Sequence, residues 1–222
     1  MKKLIFKAAL AIAIALFGAN LNAQSFEGKM TLKIEYEEVP EEYESYMSMF
    51  PKESQIYVKG KKTRIEQNTM GGTNTTIMDS ETGKGFMVMN AMGQKAAYEL
   101  ESGVEKKDTS KLPTVTYKDE TKEIAGYKCK KAELKYAGED EPITIWYTEE
   151  IKGVYNPQYS GIGINGSVLE YTVAANGMVM TMTVSEIKKE KVSDDKFTVP
   201  EGYTYKTQEE LMKMGQELQT ED

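Results

Sequence analysis

The stretch Asn176–Ile187 reads NGMVMTMTVSEI. Asn176-Gly177 is a two-residue hairpin signal, because both tolerate the positive φ that the tight turn needs. Beyond the turn, Met178, Met180, Met182 and Val184 share one parity, opposite Thr181, Thr183 and Ser185. Apolar and polar residues alternating with period two mark a half-buried antiparallel strand.

The same period runs outward through most of the chain. In Phe26–Val39, Met30, Leu32, Ile34 and Tyr36 fall on one face, and Lys29, Thr31, Lys33, Glu35 and Glu37 on the other. Strand-like runs recur near 54–59, 62–68, 73–79, 84–90, 94–100, 114–123, 127–136, 142–148 and 167–175. Gly60, Gly71-Gly72, Thr82-Gly83, Gly93 and Gly138 punctuate them as turns. Close spacing with short turns predicts an up-and-down antiparallel meander. In 127–136 the apolar phase slips at Lys130-Lys131, which predicts a β-bulge that would return Cys129 and Ala132 to one face.

Two segments leave the strand pattern. Tyr43, Tyr46, Met47 and Phe50 are spaced as a helical stripe, with Pro40 before it and Pro51 after it. Thr207 and Glu210 form a capping-box pattern ahead of Leu211, Met214 and Leu218, predicting a C-terminal helix. The expected fold is mainly β: a curved antiparallel sheet of about ten strands, curling into a half-barrel around an apolar hollow. A lid-like helix follows its first strand and a helix closes the chain.

The first 23 residues read as a cleavable secretory signal. Lys2, Lys3 and Lys7 precede the apolar run Ala8–Phe17, and small residues lead to Ala23. Ten apolar residues would span only about 15 Å as a helix, too short for a bilayer core. Residues 24–222 then form one domain, expected in the periplasm or secreted. No Cys stands directly after the cut, so the bacterial lipoprotein route is expected to be closed, and the lone Cys129 has no internal disulfide partner.

Removing the three leader lysines leaves 25 basic against 35 acidic residues, a net charge of about −10. So acidic a chain repels phosphate backbones and anionic lipid, and no nucleic-acid partner is expected. The sequence has no histidine. That removes Ser-His-Asp and Cys-His nucleophiles and the usual zinc shells. Hence no catalytic role and no cofactor or metal are expected.

Ile124–Ala132 (IAGYKCKKA), Ile145–Thr148 (IWYT) and Phe197–Tyr203 (FTVPEGY) add a pattern of order and spacing, with Lys62-Thr63-Arg64 and Ile77-Met78-Asp79. Together they resemble a family of secreted Gram-negative proteins known only as a domain of unknown function. That family is similar in architecture to LolA-like periplasmic lipoprotein carriers and lipid-binding lipoproteins. The resemblance implies a half-barrel that holds acyl chains under a helical lid, and it brings no catalytic residues.

Of the 14 methionines, many stand in Met-x-Met pairs, which put both side chains on one strand face. Unbranched thioethers suit a plastic apolar groove, or Cu(I), or plain core packing. The ligand-binding set expected here is Met30, Leu32, Ile34, Tyr36, Met87, Met89, Trp146, Met178, Met180 and Met182 in the groove. Tyr43, Tyr46, Met47 and Phe50 belong to the lid. The partner expected is a hydrophobic small molecule or a lipoprotein acyl chain. A structural or interaction role in the cell envelope is the alternative, and a Met-rich Cu(I) site a lesser one. Cys129 reads as a buried, inert thiol, and the abundant acids read as a solvated face. The irregular 152–166 segment reads either as a mouth or as packing over the sheet.

Overall fold

In a computed structural model the described residues are 26–69, 72–91, 93–101, 112–139, 141–152, 154, 159, 162–175, 177–207, 209–210 and 213. The leader at 1–23 lies outside them, as do Leu211, Met214 and Leu218 of the expected C-terminal helix.

The expected class is the one observed: a mainly β chain with one open, curved sheet, of twelve strands rather than about ten. They are β1 (Glu27–Glu38), β2 (Glu53–Lys59), β3 (Lys62–Thr69), β4 (Gly72–Asp79), β5 (Lys84–Ala91), β6 (Gln94–Glu101), β7 (Thr114–Ile124), β8 (Tyr127–Lys135), β9 (Ile143–Thr148), β10 (Ser167–Ala175), β11 (Met178–Lys189) and β12 (Thr204–Lys206). Their spatial order is β12-β6-β5-β4-β3-β2-β1-β11-β10-β9-β8-β7. There are thus two meanders, β1–β6 and β7–β11, joined side by side where β1 pairs with β11. Short turns join most neighbours in each meander at small loop-closure cost, while β1–β2 and β9–β10 are joined by the longer segments 39–52 and 149–166. The β1–β11 seam is a long-range pairing that no turn encodes. Nor does any local signal announce β12, which lies parallel to β6.

Alternation fixes the burial. Met30, Leu32 and Ile34 are buried, while Lys33 and Glu35 between them are exposed. Met30 and Leu32 join Phe26, Ile56, Val58, Ile124, Cys129, Ile151, Leu169 and Val184 in a central core. Each such side chain contributes about 1.5–3 kcal/mol of burial. A second cluster packs Ala132, Leu134, Ile145, Tyr147 and Tyr171 beneath Tyr159 and Ile162. Of the 152–166 segment, these two side chains therefore cover the sheet, while Tyr155 lies outside the described residues. A third cluster forms under the strap 192–203, where Val192 and Phe197 cover Ile77, Val88 and Ala97.

The bulge is displaced from its expected place. Strand β8 keeps a continuous register with β9 through Lys130, Lys131 and Ala132. The irregularity lies in β7, between Tyr117 and Thr121. Cys129 and Ala132 are nevertheless both buried, because each serves a different core cluster. The phase slip thus reflects burial in two separate clusters.

The lid stripe forms only one α-turn, α1 (Glu41–Glu44), and a 3-10 turn at Met47–Met49, neither with a buried residue. So short a segment cannot sustain an α-helix without a face to bury. The C-terminal capping box does form: the Glu210 carboxylate accepts from the Thr207 amide at 2.8 Å, and the Thr207 hydroxyl accepts from the Glu210 amide at 3.3 Å.

Candidate functional site

The polar parity of β1–β3 builds the first candidate. Thr31 stands opposite Gln55, and Lys33 opposite Glu53. Gln55 in turn faces Glu66 of β3. Directly opposed residues of an antiparallel pair share a face, so these side chains form one surface. The Thr31 hydroxyl donates to Gln55 Oε1 at 3.2 Å. A cleft of about 570 Å³ opens here, lined by Lys33, Glu35, Lys52, Glu53, Gln55, Glu66 and Asn68, with Ile34 the one apolar contributor.

One wall of the cleft is rigid. The Arg64 guanidinium donates to Glu66 Oε1 at 2.6 Å and to the Lys196 carbonyl at 2.9 Å. Lys196 Nζ lies 4.5 Å over the Tyr57 ring and 3.6 Å from Glu66. The strap and β3 are thus tied together behind Glu66. A second cleft, about 680 Å³, opens at the other end of β1 beside Phe26, Glu27, Lys59, Lys189 and Lys191. Its Glu27 carboxylate accepts the Val192 amide at 2.8 Å, which anchors the strap.

Trp146 shares the register face of Lys33 and Thr183 further along the sheet, where it is half-buried and packs against the central core. It faces Glu170 of β10, while its neighbour Ile145 faces Tyr171 in the core. Lys122 Nζ sits 4.5 Å over the Trp146 ring and 2.5 Å from Glu170 Oε1. Such a partly exposed cation–π contact contributes about 0.5–1 kcal/mol.

The expected groove residues separate into several places. Met30, Leu32 and Met178 are buried, the first two in the central core. Met182 is half-buried and touches two core clusters. Ile34 and Tyr36 lie opposite Met182 and Met180. Tyr36 stacks on Phe50 at 5.8 Å, Phe50 meets Tyr43 at 6.3 Å, and the Tyr36 hydroxyl donates to the Pro51 carbonyl at 2.9 Å. Met47 is half-buried, whereas Tyr46 is 55% exposed. Met87 and Met89 are half-buried on β5, five strands from β11, about 24 Å along the sheet. The structure thus gathers Ile34, Tyr36, Tyr43, Phe50 and Met180, and keeps Met87, Met89 and Trp146 apart from them.

The cleft residues were read in sequence only as a solvated face. Alternation assigns each to that face, but nothing local says that β1, β2 and β3 set Lys33, Glu53, Gln55 and Glu66 side by side. Burial raises the Cys129 thiol to a pKa of about 11, as an inert thiol requires. Burial likewise pushes the Tyr159 hydroxyl up, and the neighbouring Tyr171 adds to the shift. Among the described residues, no group of three or more His, Cys, Asp or Glu is placed to hold a metal ion. No helix among them is long and apolar enough to cross a membrane.

A family model described as the N-terminal domain of the N-glycanase peptide matches residues 34–207. The solved structure of PNGF-II is 16% identical to this chain, with a TM-score of 0.55, over 86% of this chain and 32% of that one. This chain thus spans about a third of that protein's length. MucB in complex with MucA(peri) is 8% identical, over 79% of this chain and 55% of that one, with a TM-score of 0.46. LprF from Mycobacterium bovis is 10% identical, over 82% and 92%, with a TM-score of 0.34. No curated protein matches the chain. The expectation of a chain with no catalytic role is overturned by the family match, which is to a domain family of N-glycanases. Its missing histidines bear only on histidine-dependent chemistry and say nothing of other catalysts. The β-rich architecture implied by the sequence resemblance stands, but the family that matches is the N-glycanase one rather than a domain of unknown function.

Proposed function

We propose, from the premise that this chain belongs to the N-glycanase peptide N-terminal domain family, that it engages N-glycosylated peptide or protein through the polar cleft of β1–β3. The observation that carries this reading is the lining: carboxylates, ammonium groups and amides from Lys33, Glu53, Gln55, Glu66 and Asn68 around about 570 Å³. Carboxylates and amides, with Gln55 held by Thr31 and Glu66 by Arg64, offer the donors and acceptors that sugar hydroxyls and acetamido groups need. Arg64 and the strap hold Glu66 in place, so little ordering cost remains at binding. The leader-like residues 1–23 support export to the compartment where glycoproteins are met.

Calorimetry with an N-glycosylated peptide and with the same peptide after glycan removal tests this. Binding of the first alone is expected, weakened about tenfold or more by Gln55→Ala or Glu53→Ala. Equal binding of both peptides, or of neither, would reject the reading. Mass spectrometry of the peptide after incubation tells binding from turnover.

A second reading rests on Tyr36, Tyr43, Phe50 and Met180, which form an apolar and aromatic corner beneath the 41–49 turns. A hydrophobic ligand such as an acyl chain fits there, as the lipid-carrier resemblance implies. Uptake of a fluorescent fatty acid, abolished by charged substitutions at Tyr46 and Met47, is the expected result. Uptake that survives them removes the lid from this reading.

A further inference from the structure

Resting on the reading that the β1–β3 cleft takes sugar, we propose that the site is longer than the cleft: a band across six strands that receives a neutral N-linked oligosaccharide and ends at Trp146. Register sets the band. Trp146 of β9 stands opposite Lys131 of β8 and Glu170 of β10. Glu170 stands opposite Thr183 of β11, Thr183 opposite Lys33 of β1, and Lys33 opposite Glu53 of β2. Side-chain contacts agree, since the Thr183 hydroxyl donates to Glu170 Oε2 at 3.3 Å. Four strand-to-strand steps from Trp146 to Glu53, with a fifth from Gln55 of β2 to Glu66 of β3 in the cleft, make the band about 24 Å long, the reach of several linked sugars rather than one.

Charge complementarity selects the occupant. Lys122 is paired with Glu170 at 2.5 Å and Lys131 with Glu120 at 3.0 Å, and Lys33 faces Glu53 across the ladder. Each of these cations has a carboxylate beside it, so a phosphate or an anionic lipid surface meets no net positive field. A neutral polyol finds donors and acceptors along the whole row. At its far end the Lys122 ammonium covers one face of the half-buried indole, which also packs against the central core. That ring face attracts the electron-poor C–H face of a pyranose as it attracts the ammonium. A bound sugar takes the ammonium's place on the ring, and Glu170 retains Lys122 at the edge of the site.

Trp146 is the chain's one tryptophan, so its fluorescence reports on this end of the band alone. The full chain is titrated with the chitobiose disaccharide and with a full-length neutral N-glycan, each followed by calorimetry and by Trp146 emission. The glycan is expected to bind about tenfold more tightly than the disaccharide and to shift the emission, while the disaccharide leaves it unchanged. Trp146→Ala, with Glu170→Gln as a shape-conserving second variant, is expected to remove that gain and leave disaccharide binding intact. Equal affinities with unchanged emission would overturn the band and leave the cleft reading standing. Absence of binding by both sugars would overturn the two together.

Discussion

Lys33 of β1 lies directly across the ladder from Thr183 of β11. Through that seam the polar row of one meander runs on into the other, and the buried row beneath it does the same: Leu32 faces Val184 and Ile34 faces Met182. The seam therefore both builds the central core and aligns the proposed binding band.

Met30 is 1% exposed and lies in the central core beside the seam. Met30→Ala is expected to cost about 2–5 kcal/mol, from lost transfer free energy and the cavity left behind. Denaturant unfolding followed by circular dichroism measures it, and a loss below 1 kcal/mol would show that the site collapses.

Gly85 of β5 pairs with Met78 of β4. A Cβ at Gly85 would overlap the Ile77 carbonyl oxygen and the Met78 sulfur. The sulfur can swing away, but the carbonyl belongs to the ladder. Gly85→Ala is therefore expected to destabilise by about 1–3 kcal/mol, as overpacking does. A melting temperature equal to the parent's would contradict it.

Arg64 ties β3 to the strap through Glu66 and the Lys196 carbonyl. Arg64→Ala leaves that carbonyl and the half-buried Glu66 without this donor, at about 1–3 kcal/mol. Hydrogen exchange should rise in 192–203 and stay unchanged in β8–β10. Unchanged exchange in 192–203 would mean that Val192, Phe197 and the Glu27 carboxylate hold the strap without Arg64.

Alkaline stability depends on Cys129. Burial raises its thiol from 9.0 to about 11, so the unfolded chain releases this proton first as pH rises. The native state then holds more protons than the unfolded one, and stability falls with pH. The contribution is intact below pH 9 and is lost as pH climbs from 9 to 11. Tyr36, Tyr147 and Tyr159, all raised from 10.0 chiefly by burial, prolong the decline. Cys129→Ala should flatten the part of the curve that begins at pH 9. A slope identical to the parent's would show that the thiol does not contribute to it.

Tyr46 is 55% exposed on the short turns after β1. Tyr46→Asp is expected to change stability by less than about 0.5 kcal/mol, as for a surface position without partners in the core. A larger loss in thermal unfolding would mean that this segment packs more tightly than its exposure implies.

The sequence by itself determined the strands and their buried faces. Alternation in 26–39 and 178–187 selects Met30, Leu32, Ile34 and Val184 for burial, because successive strand side chains point to opposite faces. Turn glycines set most hairpins of the two meanders, and the Thr207–Glu210 capping box forms as its pattern predicts. The helical stripe at 43–50 misled, since spacing alone cannot supply a face to bury, and the segment settled into single turns. Only the tertiary structure decided that β1 joins β11, that β12 caps β6, and that the 192–203 strap covers Ile77 and Val88. These are pairings between distant segments, chosen by which apolar surfaces remain to be covered once the local hairpins exist. The same holds for the site: Lys33, Glu53, Glu170 and Trp146 are ordinary strand residues in sequence. They become one surface only because register across five strands sets them in line.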